Sequence, residues 1–375
     1  MACADLLPSL PIGSRVLFVR LRSLGDTVLS TPLYSALKRW RPDLRIAVLA
    51  ETPNDQVLAN NPDIEQVLPV SGERDLVRSF ASRVHALKGI RKARFDCCIN
   101  LHGGSTSAWL TLLSGSARRV GLKSFRNGFA YTHILEVPSR KGDGTKWHTV
   151  EYQMEWLRRL GLPPGAIPPL RVVPPAQQES SARSRLNKLG ITPGARYALI
   201  QPASRFFTKE WTPEGFAKVA EFLVQEHDLQ VLLSGGPGEE PKLRNIRQRC
   251  NEHIHDCSSI LLGELLWVLR GARLFVGNDS GPAHLAAAMG VPSVILYGSS
   301  DAGVWHPWMA PYQRVQNSFD CNPCPGYRCL VYDEPKCILS ITVSQVQLAV
   351  NAALRAGAVH APRSPAEIDK SPAPK

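Results

Sequence analysis

The sequence predicts an α/β protein of two doubly wound domains, each a parallel sheet covered by helices. Three observations point there. Short β-branched runs alternate with helical periods through the first half of the chain, the same alternation restarts in the second half, and a proline-rich stretch without sustained period lies between them. A chain of 375 residues, 44% of them hydrophobic, also exceeds what one core usually organises.

In the first half, residues 16–19 read as a strand, 25–41 as a helix, and 45–49 and 95–100 as further strands. Residues 161–175 then carry Pro163, Pro164, Pro168, Pro169, Pro174 and Pro175, which marks a linker and a domain boundary. The second block reads as strands over 197–200, 229–233, 274–276 and 293–296, with helices over 213–227 and 282–289 and a last amphipathic helix over 343–354. The expected domains are therefore 15–170 and 171–357. A flexible lead-in over 1–14 and a disordered tail over 358–375, with Pro362, Pro365, Pro372 and Pro374, flank them. The simplest assembly has the two domains facing across a cleft, with ligands beyond the carboxyl ends of the strands.

The net charge is +12, and residues 1–170 hold 23 Lys+Arg against 14 Asp+Glu, a net +9, so the first half is expected to meet something anionic. Arg74, Arg78, Arg83, Lys88, Arg91, Lys92 and Arg94 thread through Leu76, Val77, Phe80, Val84, Leu87 and Ile90, the pattern of an amphipathic helix with a basic face. One reading is a solvated face; the other is attraction to anionic lipid headgroups or to a phosphorylated acceptor. Nucleic acid fits poorly, because no zinc-finger spacing, aromatic RNA-binding signature or basic zipper accompanies the charge. No run approaches the roughly 18–20 apolar residues of a membrane span, and 1–10 lacks a secretory pattern, so the cytoplasm is the expected location. Nine cysteines in a chain of this size read as thiols rather than as a disulfide scaffold.

Four strand-end loops carry the candidate chemistry. Arg20-Leu21-Arg22-Ser23-Leu24-Gly25-Asp26-Thr27 follows the first strand; Asp26 reads either as a helix cap or as a general base. Ser204-Arg205-Phe206-Phe207-Thr208-Lys209 supplies hydroxyls and cations suited to phosphate. Ser234-Gly235-Gly236-Pro237-Gly238-Glu239-Glu240 is a glycine turn that departs from the dinucleotide fingerprint, because Pro241 stands where a third small residue belongs. Gly277-Asn278-Asp279-Ser280-Gly281-Pro282-Ala283-His284 runs from a strand into a helix with proline in its first turn, which aims free amides at an anion. Asp279 and Ser280 also read as ordinary caps, and His284 as a packed helix histidine. Cys321, Cys324, Cys329 and Cys337 fall within seventeen residues; they read as a structural metal site or labile disulfide, or as a loop held by packing alone.

Taken in order, these segments resemble the family 9 glycosyltransferases, the heptosyltransferases of the lipopolysaccharide inner core. The similarity runs from about residue 15 to 354 and includes His148 and Glu151, Lys209-Glu210-Trp211 and the cysteine stretch. It implies a GT-B fold whose C-terminal domain grips a nucleotide-activated sugar, usually ADP-heptose, with no cofactor or metal required. The N-terminal domain would receive an anionic lipid-linked saccharide acceptor through Arg20, Arg22, Ser23 and Gly25, peripherally at the inner face of the cytoplasmic membrane. By position, Asp26 would be the base of an inverting transfer. Ser204, Thr208 and Lys209 would hold the diphosphate, Asp279, Ser280, Gly281 and His284 would line the donor pocket, and one of Glu239 and Glu240 would contact the ribose. The rival readings are a sugar-nucleotide epimerase of the same architecture and a non-catalytic sugar-nucleotide or lipid-headgroup binding protein. The presence of Asp26 favours catalysis, and the broken glycine fingerprint disfavours a nicotinamide dehydrogenase.

Overall fold

The computed structural model describes residues 3–72, 76–258, 260–324 and 326–358. Of these, residues within 1–184, 261–267 and 301–309 form one compact unit, and those within 185–260, 268–300 and 310–375 form a second.

The first unit is built on a parallel sheet of β1 (Arg15–Val19), β2 (Arg45–Thr52), β3 (Gln66–Ser71), β4 (Cys97–Asn100), β5 (Arg118–Leu122) and β6 (His133–Leu135), in the order β3-β2-β1-β4-β5-β6. β1 pairs with both β2 and β4, Phe18 lying opposite Val48 on one side and Ile99 on the other. Its residues Val16 to Val19 are wholly buried, which is why the run reads as continuously apolar rather than alternating. Strand order reverses direction between β1 and β4, so the loops after these two strands open a crevice at their carboxyl ends.

The second unit repeats the plan with β7 (Tyr197–Gln201), β8 (Gln230–Leu233), β9 (His255–Asp256), β10 (Leu274–Asn278), β11 (Ser293–Leu296) and β12 (Tyr312–Val315), in the order β12-β11-β10-β7-β8-β9. All the pairings are parallel, and here the reversal falls between β7 and β10. Its core joins Ile200, Val231, Leu233, Val276 and Leu296 of the sheet to Phe216, Leu223, Val346 and Val350 of the covering helices. Gly277 in β10 has no room for a side chain, since a Cβ there would lie 2.7 Å from the Gln201 carbonyl oxygen across the sheet.

Three expectations are corrected. The single helix over 25–41 is two, Leu24–Leu29 and Thr31–Trp40. The break falls at Ser30 because Pro32 has no N–H to continue the ladder, and the Val28 carbonyl it would have reached instead accepts from the Thr31 hydroxyl at 2.8 Å. Residues 3–14 are not a flexible lead-in: Leu6, Leu7 and Leu10 are buried, and the Leu7 amide donates to the Leu160 carbonyl at 2.9 Å. The proline-rich stretch lacks helix or strand until Ala176 but is pinned to the first unit. There Arg171 donates its amide to Thr31 Oγ1 at 3.0 Å, and Asn61 donates to the Arg171 carbonyl at 2.8 Å. The expected tail beyond 358 lies outside the described residues, as do Arg74 and the side chain of Arg78.

Candidate active site

On the first unit, the loop after β1 brings Arg20, Arg22, Ser23 and Asp26 together. Asp26 is the third residue of a short helix that opens after Ser23, and its Oδ2 accepts from the Ser23 amide at 3.2 Å and the Ser23 hydroxyl at 3.0 Å. The capping role is thus present in the geometry. It leaves Oδ1 without a hydrogen-bond donor among the described residues, with the Arg20 guanidinium 3.6 Å away. Arg20 is 5% exposed and its Nε is buried without a hydrogen-bond partner among the described residues, a polar group whose desolvation is uncompensated within the fold. Arg22 is turned outward and pairs with Glu51 at 2.6 Å. Gly25 is buried beneath the loop.

The loop after β4 adds residues that the sequence did not single out. Asn100 shapes it: its Oδ1 accepts from the His102 amide at 2.9 Å while its Nδ2 donates to the Tyr131 hydroxyl at 2.9 Å. Gly103 follows at φ +76, a left-handed conformation that glycine adopts without penalty. The chain then enters the Ser105–Leu113 helix. Arg22, Glu51, Arg83, His102, Ser105 and Thr106 line a cavity of about 120 Å³ at this reversal point. The signal was legible in His102-Gly103-Gly104-Ser105, a glycine turn between strand and helix.

Burial, with the Arg20 charge nearby, pushes the His102 imidazole below its ordinary 6.5. The folded chain then resists a proton that the unfolded chain accepts. Stability is full above 6.5 and is lost as pH falls through that value toward the depressed folded one. Melting temperature followed from neutral pH to about pH 5 is expected to fall, and to fall less in His102→Gln. His133 and His255 shift in the same direction through burial, so the slope shrinks without vanishing.

On the second unit, the reversal between β7 and β10 brings the two strongest motifs into contact. Lys209 Nζ donates to Asp279 Oδ2 at 2.7 Å, with Asp279 5% and Lys209 18% exposed at the side chain. Buried Asn278 ties the same two loops, donating to the Pro202 carbonyl at 2.6 Å and accepting from the Trp211 amide at 3.3 Å. Glu210 accepts from the Ser204 amide at 2.8 Å and pairs with Lys242, which fixes the start of the Ser204 to Lys209 loop. Arg205 is exposed over the Phe206 ring. Ser280 caps the Gly281–Ala288 helix by position, with Pro282 in the first turn and His284 buried. In the glycine turn after β8, Glu239 Oε2 accepts from the Gly236 amide at 2.6 Å, whereas Glu240 begins the next helix.

Three buried polar atoms at these strand ends, Gln201 Oε1, Ser234 Oγ and Ser280 Oγ, have no hydrogen-bond partner among the described residues. Beside a lysine, a buried carboxylate and a helix N-terminus, such atoms suit a polyoxygenated, anionic ligand. Thr208 differs from the expectation of a diphosphate contact. It is 1% exposed and its hydroxyl donates to the Gly326 carbonyl at 2.5 Å and meets Ser299 Oγ at 3.0 Å, so it fastens the loop from within. His148 and Glu151 likewise serve the fold. His148 Nδ1 accepts from the Val150 amide, its Nε2 donates to the His306 carbonyl at 3.0 Å, and its amide donates to Glu151 at 2.9 Å, together capping the Thr149–Arg159 helix. Cys321, Cys324, Cys329 and Cys337 line one cavity of about 20 Å³ and all are free thiols. Among the described residues no group of three or more side chains is spaced to hold a metal, and burial pushes the Cys337 thiol up.

The chain is similar to known heptosyltransferases in sequence and fold. The chain is 28% identical over 298 residues to lipopolysaccharide heptosyltransferase 3 of Escherichia coli, covering 77% of this chain and 84% of the relative. Its fold matches a family 9 glycosyl transferase from Veillonella parvula (TM-score 0.78, 21% identity, 92% and 97% of the two chains). It also matches the E. coli heptosyltransferase WaaC with ADP-2-deoxy-2-fluoro heptose (TM-score 0.66, 21% identity, 90% and 99%). These structural likenesses bear on the fold, which is the two-domain GT-B architecture. The model of glycosyltransferase family 9 (heptosyltransferase) matches residues 83–333, about two thirds of the sequence, and the chain is a glycosyltransferase belonging to that family.

Proposed function

We propose that the protein transfers a heptose from ADP-heptose to an anionic, lipid-linked inner-core saccharide of the lipopolysaccharide type, by direct displacement with inversion. Residues 15–170 serve the acceptor and 171–357 the donor. The observation that carries the reading is the Lys209–Asp279 contact at the reversal of the second sheet, with orphaned polar atoms around it and a helix N-terminus alongside. The relatives named as heptosyltransferases, and the ADP-sugar present with one structural neighbour, support the choice of donor.

In this reaction an acceptor hydroxyl attacks the anomeric carbon as the bond from that carbon to the diphosphate oxygen breaks. The hydroxyl proton passes to Asp26 Oδ1, the oxygen that the Ser23 bonds leave open. The leaving diphosphate gains negative charge, which Lys209 and the backbone amides of Ser280 and Gly281 at the helix N-terminus stabilise. Ser204 adds a hydroxyl donor, Glu239 is the better placed of the two acids for the ribose because it lies in the loop rather than on the helix, and His284 lines the donor pocket. Arg22, Arg83 and His102 line the first-unit cavity, where Glu51 pairs with Arg22, and Arg20 lies beside Asp26; these basic groups suit a carboxylate or phosphate of the acceptor. Enzyme at the inner face of the membrane is the arrangement such an acceptor requires.

A panel of nucleotide sugars incubated with the purified chain and inner-core acceptors, read by mass spectrometry, tests the proposal. Acceptor gaining one heptose from ADP-heptose is the expected result. Donor converted in the absence of acceptor would instead favour an epimerase, and donor bound without turnover a binding protein.

A further inference from the structure

The first unit presents an aromatic pair to solvent. Trp109 and Phe129 are 50% and 61% exposed, and their rings meet edge to face at 5.5 Å. Leu113, one turn beyond Trp109 on the Ser105–Leu113 helix, is exposed as well. Single apolar side chains on a surface need no explanation, but contiguous aromatic area left in water forgoes the gain of burial and marks a contact surface.

The charge around this patch identifies what it fits. Residues 76–135 contain ten Lys+Arg and one acid, Asp96, which is a net +9 of the chain's +12. The Asp96 carboxylate accepts from the Arg15 amide at 2.8 Å on the strand side. Arg91 of the Leu76–Ala93 helix donates its Nε to the Leu113 carbonyl at 3.0 Å, which joins the exposed basic residues Lys88, Arg91 and Lys92 directly to the apolar patch. Arg126 is exposed three residues before Phe129, while Lys123 is paired with Glu136.

The geometry points to a membrane-docking surface: Trp109, Leu113 and Phe129 enter the headgroup layer of an anionic bilayer, and Lys88, Arg91, Lys92 and Arg126 meet its phosphates. Aromatic rings with a cationic rim are the composition that settles at such an interface. A protein partner would need an acidic rim around an apolar centre on one face, whereas an anionic bilayer supplies both everywhere. The choice of a bilayer rests on the lipid-linked acceptor of the proposed reaction, because a docked enzyme meets that acceptor where it is anchored.

Co-sedimentation of the whole chain with vesicles, without donor or acceptor and at low salt, tests the surface. Binding is expected to vesicles of equal parts phosphatidylglycerol and phosphatidylcholine and not to phosphatidylcholine alone. Trp109→Ser with Phe129→Ser is expected to lower partitioning by about tenfold or more. Arg91→Gln with Lys92→Gln should lower it by roughly twenty- to thirtyfold. Unchanged melting temperatures would show that the variants fold, and the charge pair tests the rim if the aromatic pair does not. Several results would overturn the proposal: equal binding to neutral vesicles, partitioning unaltered in folded variants, or a dimer that the aromatic substitutions dissociate. So would an equal loss of affinity for a delipidated, phosphorylated saccharide, which would make the patch an acceptor site. No transfer is measured, so failure here leaves the proposed reaction standing, and failure of transfer leaves vesicle binding to be judged by itself.

Discussion

Asp26→Asn is expected to lower turnover by about 10²–10⁴-fold while leaving affinity for ADP near that of the wild type. The amide oxygen can still accept from the Ser23 amide and hydroxyl, so the loop and its short helix keep their cap. What disappears is the oxygen beside Arg20 that takes the proton. Asp26→Ala removes the cap too, which adds a stability loss of about 1 kcal/mol to the loss of turnover and makes it the less specific variant. Steady-state kinetics with calorimetric titration of ADP separates the two effects. Undiminished transfer by Asp26→Asn would remove the base assignment, and equal loss of ADP binding and turnover would show that the residue shapes the donor pocket instead.

Lys209→Ala is expected to reduce both donor affinity and turnover, the latter by about 10²–10³-fold, since the charge it supplies opposes the one that grows on the departing diphosphate. The same substitution strands the Asp279 carboxylate, 5% exposed, without its cation. A fully buried pair broken from one side costs about 3–5 kcal/mol; Lys209 retains 18% exposure, so about 2 kcal/mol of stability is the expected loss. Lys209→Arg keeps the charge and is expected to recover most of the stability but less of the turnover, because a planar fork replaces a point donor 2.7 Å from its partner. Thermal melting and initial-rate kinetics on the three proteins check this. A Lys209→Ala enzyme with unchanged turnover would place the diphosphate elsewhere.

The sheet strands that carry these residues were legible because they are buried on both faces. Val16 to Val19, Tyr197 to Ile200 and Val294 to Leu296 form short continuous apolar runs bounded by turn residues. The outer strands were harder to see. β6 has three residues and β9 two, and half-exposed edges such as His133-Ile134-Leu135 lack both the length and the continuity of a buried strand. Topology supplied what local pattern could not. Nothing in the spacing of His102 from Asp26 joins them, yet β1 and β4 are neighbours and their loops share one crevice. The same adjacency of β7 and β10 turns two separate motifs, around Lys209 and Asp279, into one ion pair. Thr208 shows the reverse limit. Its sequence context pointed to chemistry, whereas its hydroxyl is engaged in holding a loop.

The anomeric configuration of the transferred heptose, read by nuclear magnetic resonance on purified product, tests the account most directly. A single carboxylate acting on the acceptor hydroxyl permits only one displacement at the anomeric carbon, so the product linkage must be opposite to that of the donor. A product that retains the donor configuration would contradict direct displacement and the role assigned to Asp26.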